Sequence, residues 1–86
     1  MYELLLAHDA RRFYERAEPP LVRRLHRCFE RLRQNPYEHP NIKRLRGPLG
    51  GYLRYRLGDW RVVYAVNEEK HTVTVLLIAQ QSKVYR

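Results

Sequence analysis

Tyr52-Leu53-Arg54-Tyr55-Arg56-Leu57-Gly58-Asp59-Trp60-Arg61-Val62-Val63-Tyr64-Ala65-Val66 reads as two alternating runs joined by Gly58-Asp59. Alternation with a period of two is the mark of a half-buried strand. A two-residue Gly-Asp connection predicts a hairpin, Gly58 supplying the positive φ of a type II′ turn. That turn sets the register: Leu57 faces Trp60, Arg56 faces Arg61, Tyr55 faces Val62 and Arg54 faces Val63. Successive side chains point to opposite faces. Leu53, Tyr55, Leu57, Trp60, Val62, Tyr64 and Val66 therefore share a core face, and Tyr52, Arg54, Arg56, Arg61, Val63 and Ala65 share the other.

The second face gathers three arginines, with Arg56 directly opposite Arg61. Like charges opposed across strands are destabilising, and an anionic ligand would supply the missing compensation. Lys43, Arg44 and Arg46 add to the region, so that residues 43–61 hold six positive charges and one acid, Asp59. Tyr52 and Tyr85 offer rings on which a base can stack. The alternatives are arginines that splay into solvent, or arginines paired with acids from elsewhere in the fold.

Upstream, Tyr2-Glu3-Leu4-Leu5-Leu6 reads as a strand, with helix not excluded. Asp9 is placed to cap a helix from Ala10 to Ala17, whose apolar positions Ala10, Phe13, Tyr14 and Ala17 recur at helical spacing. Pro19-Pro20 breaks that helix and opens a second, which runs to about Gln34 and ends at Asn35-Pro36. Its stripe of Leu21, Val22, Leu25, Cys28, Phe29 and Leu32 leaves Arg23, Arg24, Arg27, Arg31 and Arg33 off the apolar side. Residues 35–51, with three prolines and three glycines, read as loop. Downstream, Asn67-Glu68-Glu69-Lys70 is a turn, and His71 to Ala79 is a strand rich in β-branched residues. Trp60 and Cys28 belong with the core. The economical architecture is one α/β domain over residues 1–86, with a mostly antiparallel sheet and a helix hairpin on one face.

Composition bounds the functional classes. The 86 residues suffice for a single modest core. The excess of +8 comes from 14 arginines and 3 lysines against 9 acids, which points to a polyanion or an acidic partner. Guanidinium binds phosphate and carboxylate in a bidentate fork, where ammonium is a point charge. Cys28 is the sole cysteine, so no internal disulfide forms, and the four histidines lie far apart without ligand spacing. No metal or cofactor is expected. The longest apolar run, Val75 to Ala79, is far short of the roughly 20 residues of a membrane span. A soluble protein of the reducing cytoplasm is expected, without a secretory signal.

The stretch from Lys43 to Tyr64 resembles the central signature of the RelE/ParE toxins. Lys43-Arg44-Leu45-Arg46-Gly47 is similar to their K-x-L-x-G element and Arg54-Tyr55-Arg56 to their R-x-R strand. Gly58-Asp59-Trp60-Arg61-Val62-Val63-Tyr64 is similar to G-D-[YW]-R-[VIL]-x-Y, and Val84-Tyr85-Arg86 to their terminus; the likeness covers essentially the whole chain. It implies an α+β fold: an N-terminal strand and a helix hairpin packed on a mainly antiparallel four-stranded sheet. It also implies a toxin of a type II toxin–antitoxin system. In the RelE branch this is a metal-independent mRNA endonuclease working in the ribosomal A site, where the ribose 2′-hydroxyl attacks the adjacent phosphate. On that pattern Arg61 stabilises the transferring phosphate and Tyr85 orients the substrate. Arg56 stands beside them as a catalytic candidate, and Arg54 with Lys43, Arg44, Arg46, Tyr52 and Lys83 as RNA- or phosphate-binding residues. Charge collecting on phosphoryl oxygens in the transition state is what a fixed cation stabilises.

One departure bears on chemistry. Many members read G-[HK]-R after the last strand, whereas Ala79-Gln80-Gln81 stands here. Glutamine donates a hydrogen bond but can neither carry charge nor shuttle a proton, and arginine stays protonated. Two alternatives to the nuclease follow: a ParE-like inhibitor of DNA gyrase, or a weakly catalytic toxin that binds only RNA or antitoxin. The partners implied are a cognate, acidic antitoxin, the ribosome with its mRNA, and promoter DNA reached mainly through the antitoxin.

Overall fold

The computed structural model describes residues 1–84, with side chains through Ser82. In chain order the elements are β1 (Glu3–Leu6), α1 (His8–Arg16), α2 (Pro19–Gln34), β2 (Ile42–Arg44), a 3-10 turn (Gly47–Leu49), β3 (Leu53–Leu57), β4 (Trp60–Asn67), β5 (Thr72–Gln80) and α3 (Gln81–Val84). The sheet has five strands in the order β1-β5-β4-β3-β2. β1 runs parallel to β5 and the other neighbours are antiparallel. The four-stranded expectation falls short by one: β2 lies within the stretch read as loop. It is three residues long, two of them charged, and sits at an edge, where its pairing with β3 rather than any hydrophobic pattern makes it a strand.

The hairpin forms as its sequence dictates. Gly58 takes φ +61, and the pairs Leu57–Trp60, Arg56–Arg61, Tyr55–Val62 and Arg54–Val63 are all present. An irregularity between β4 and β5 puts Val63 opposite Leu77 and Tyr64 opposite Val75. Leu76 is thus an extra residue, which re-aims the end of β5.

Two helices on one face supply the core. α2 begins on Pro19-Pro20 and buries Leu25, Cys28, Phe29 and Leu32 against Leu53, Tyr55, Val62, Tyr64, Val73, Val75 and Ile78. Trp60 and Phe13 pack ring to ring 5.1 Å apart at this core's margin. The Tyr64 hydroxyl donates to the Pro36 carbonyl at 2.7 Å, which ties the end of the hairpin to the sheet. α1 starts two residues earlier than expected: Ala7 is its N-cap and makes no side-chain cap, and Asp9 lies in the first turn, where its charge complements the helix dipole. Burial pushes the Cys28 thiol up to about 12, so it stays protonated in the core.

At the end of the sheet remote from the Gly58 turn, β4 turns into β5 through residues 68–71, and His71 adopts φ +55. The Tyr2 hydroxyl donates to Glu68 Oε2 at 2.8 Å, the Tyr37 hydroxyl donates to the same carboxylate, and the Tyr2 and His71 rings stack at 3.8 Å. The hydroxyls of Tyr37 and then Tyr2 hold the Glu68 carboxyl below its ordinary 4.5. The bond to Glu68 pushes the Tyr37 hydroxyl up to about 12 from 10. Stability from the carboxylate is present above its unfolded value and is lost as pH falls through the lower folded one. Stability from the phenol is full below pH 10 and is lost as pH rises toward 12. Tyr37→Phe should therefore flatten both the acid limb below pH 4.5 and the alkaline limb above pH 10, measured as melting temperature against pH.

Candidate nucleic-acid interface

The sheet face opposite the helices carries the expected cations, at different depths. Arg54 and Arg56 alternate onto it from β3 and Arg61 from β4, while Lys43 joins from β2 through its pairing with Arg54. Arg56 and Lys43 are exposed, and Arg54 is half-buried. Arg61 is only 6% exposed. The opposed pair Arg56–Arg61 thus relieves its repulsion by separating in depth, one guanidinium in solvent and the other folded back on the turn.

What holds Arg61 is neutral. Its Nη1 donates to the Gly58 carbonyl at 2.7 Å and the Trp60 carbonyl at 2.9 Å. Its Nη2 donates to Gln81 Oε1 at 2.6 Å. Among the described residues the one ion pair is Arg33–Glu30, on α2, so none of their carboxylates neutralises Arg61. Gln81 is positioned by its own backbone N–H, which donates to the Asp59 carbonyl at 3.0 Å and continues the β4–β5 ladder onto the first residue of α3. Arg54 is steadied in the same way, its Nη1 donating to the Asn41 carbonyl at 2.6 Å. A buried cation with carbonyl and amide partners keeps its full charge, and burying such a charge is costly without a counter-ion. The Nε–H of Arg61 and an Nη2 proton remain without a partner among the described residues, which leaves donor capacity for one anion.

Sequence and structure part company at Arg44. It pairs with Leu53, a core-face position, so strand alternation sends it to the side opposite Lys43 and Arg54. There its guanidinium lies over the Tyr37 ring, 5.8 Å from the centroid, and it is not part of the group of cations on the open face. Arg46 is exposed at the start of the 3-10 turn. Tyr52 is 38% exposed and on the arginine side. Tyr85 and the Lys83 side chain lie outside the described residues. Gln81, read from sequence as a lost charge, proves to be a hydrogen-bond acceptor for Arg61. Finding that contact required the register of β5, which the extra residue Leu76 shifts.

The same face has an apolar half. Leu5, 43% exposed, and Leu77, 37% exposed, stand in the opposite side's register with Thr74 and Val63. A shallow depression nearby is lined by Leu5, Tyr52, Ala65 and Leu76, with Glu68 and Lys70 also on its wall. Cations and apolar surface therefore adjoin on one sheet face. Among the described residues no group of three or more His, Cys, Asp or Glu side chains is placed to hold a metal ion.

The neutrality of Gln81 can be tested. Gln81→Glu places a carboxylate on Arg61, and a gain of about 1 kcal/mol would raise the melting temperature by about 4–8 °C. The same change should weaken the stabilisation that added sulfate or phosphate gives the wild type, read by thermal melts across anion concentration.

Comparison with known proteins agrees with this architecture. The family described as the ParE toxin of the type II toxin–antitoxin system parDE matches residues 6–85. Toxin RelE of Mycobacterium tuberculosis is 43% identical over 58 residues, 67% of this chain. The matched segment spans 58% of that relative's length. Among solved structures, the toxin–antitoxin complex RelBE2 of Mycobacterium tuberculosis superposes with a TM-score of 0.80 at 26% identity, covering 93% of this chain and 98% of the other. The YoeB/ParE toxin of Agrobacterium tumefaciens gives 0.82 at 19% identity, covering 92% and 98%, and this likeness is one of fold. With the family match spanning nearly every residue, the chain belongs to the RelE/ParE family of type II toxin–antitoxin toxins.

Proposed function

We propose that the protein acts as a ribosome-dependent mRNA endonuclease, using the arginine face to hold the scissile phosphate. One observation carries the reading: a buried Arg61 guanidinium without a carboxylate partner among the described residues, opposite exposed Arg56 and on the same sheet face as Lys43. In the reaction the 2′-oxygen forms a bond to phosphorus as the bond to the 5′-oxygen breaks. The 2′-hydroxyl loses its proton and the leaving 5′-oxygen gains one. Negative charge on the non-bridging oxygens peaks between these events. A cation already fixed by Gly58, Trp60 and Gln81 stabilises that charge without reorganising. Arg56, Arg54 and Lys43 then hold the flanking backbone.

Proton transfer is the weak half of this chemistry. Gln81 cannot act as an acid or a base and Arg61 stays charged, so the described groups supply electrostatic stabilisation. Proton transfer by a positioned side chain contributes typically about 10²–10⁴ in rate, and a slow enzyme is expected. The proposal includes a cognate antitoxin, on the strength of the RelB-bound toxins among the similar structures. An acidic antitoxin would meet the sheet's cations and its adjoining apolar half together. Inhibition of DNA gyrase is the second reading, favoured by the ParE description of the matching family and by Gln80-Gln81 at the end of β5.

The test is primer extension on programmed ribosomes. Wild type should give cuts within the A-site codon, and Arg61→Ala should keep the fold while losing about 10²–10³ in rate, the usual loss for one transition-state donor. Stalled gyrase supercoiling with intact mRNA would transfer the protein to the second reading. An Arg61→Ala protein that cuts at the wild-type rate would remove the phosphate role.

A further inference from the structure

Arg61 is not the only cation on the open face with a fixed seat. Arg54 Nη1 donates to the Asn41 carbonyl at 2.6 Å, and that oxygen also accepts the Arg56 N–H at 2.9 Å. Both acceptor sites of the carbonyl are therefore in use. The place of the Arg54 guanidinium is then set by whatever holds Asn41, which lies in a turn just before β2.

What holds Asn41 is His39. Residues 39–42 form a tight turn, the Ile42 N–H donating to the His39 carbonyl at 2.9 Å, with Pro40 presetting the backbone at its second position. Across this turn the Asn41 N–H donates to His39 Nδ1 at 3.1 Å. The imidazole is half-buried and lies against the Tyr55 ring, centroids 5.2 Å apart. Tyr55 belongs to the core. A chain of contacts thus runs from the core through His39 and Asn41 to the Arg54 guanidinium.

Chemistry decides which ring nitrogen accepts. Nε2 lies 3.4 Å from Arg31 Nη1, so each nitrogen faces a donor, and a neutral imidazole has one acceptor to offer. Arg31 is exposed, where water can serve it. The Asn41 N–H has no other acceptor among the described residues, and a backbone donor left unpaired away from water is costly. Nδ1 is therefore the acceptor, and Nε2 carries the proton.

We infer that His39 is a positioning residue for substrate binding: by holding Asn41 it keeps the Arg54 guanidinium in place on the open face before RNA arrives. The inference rests on the RNA-cleaving reading above. His39 acts through Arg54, from the side of the sheet that Tyr55 faces, and touches no reacting atom. Its ring and its acceptor can be separated. Asn and Asp side chains make the same bond to the N–H two residues on, so His39→Asn keeps the acceptor and loses the ring. His39→Leu keeps an apolar contact with Tyr55 and loses the acceptor.

The experiment measures, below the melting temperature of every variant, affinity for a short uncleavable 2′-deoxy-substituted RNA and cleavage kinetics on programmed ribosomes. Each substitution is made alone and together with Arg54→Ala. His39→Leu should weaken RNA binding about 3–10-fold, the cost of ordering one long side chain on binding. KM should rise by the same factor while kcat stays near wild type. The salt slope should not change, because no charge is removed, whereas Arg54→Ala lowers it by about 1. His39→Asn should bind as wild type does, and in the Arg54→Ala background His39→Leu should add no further loss. Order at Arg54 is read without RNA from its guanidinium NMR signals, resolved in wild type and in His39→Asn and averaged in His39→Leu. Wild-type affinity and Arg54 signals in His39→Leu would overturn the inference. So would a His39→Asn protein as impaired as His39→Leu, or a loss that persists undiminished without Arg54. Failure of the nuclease reading shows separately, as mRNA left uncut by a wild-type protein whose Arg54 signals still respond to His39→Leu.

Discussion

The site depends on one guanidinium held by the wrong kind of partner for a stable fold and the right kind for binding an anion. A carboxylate on Arg61 would settle its charge; the Gly58 and Trp60 carbonyls and the Gln81 amide oxygen fix its position and leave the charge in place. Groups that hold a cation still without neutralising it are what preorganised electrostatics requires. The features around it follow from this requirement. Gly58 gives the turn its positive φ and leaves room for Arg24, and the bond from the Gln81 N–H to Asp59 delivers the third acceptor.

The rest of the fold makes that arrangement rigid. The helix hairpin covers one sheet face completely enough for Tyr64, Val62, Val73 and Val75 to lose all solvent contact. The opposite face is thereby free to carry groups that packing would exclude. Edge strand β2 widens the face and adds Lys43, while turning Arg44 toward Tyr37. The two ends of the sheet are consequently different: a hydrogen-bonded tyrosine–carboxylate cluster at one, and cations without carboxylate partners among the described residues at the other.

Much of this was legible in the residues. The hairpin register, the two faces and the opposition of Arg56 to Arg61 all follow from Gly58-Asp59 and alternation, because a two-residue turn leaves no freedom of slip. The stripe of α2 follows from its spacing in the same way. The unread parts are those set by long-range pairing. Ile42-Lys43-Arg44 has no pattern of its own and becomes a strand only against β3. Without that pairing, Arg44 cannot be assigned to a face. The depth of Arg61 was hidden because it depends on Gln81, twenty residues away, whose place is fixed by the irregular residue Leu76. Family resemblance supplied the role of Arg61 but gave no hint that a glutamine would hold it.

The role of Arg61 is best settled by a crystal structure with a 2′-deoxy-substituted, uncleavable RNA on the ribosomal small subunit. The scissile phosphate should lie within hydrogen-bond distance of Arg61 Nε and Nη2, with the Gly58 and Gln81 contacts kept and Arg56 drawn in beside it. A phosphate seated elsewhere, or an Arg61 swung out of its carbonyl cradle, would contradict it.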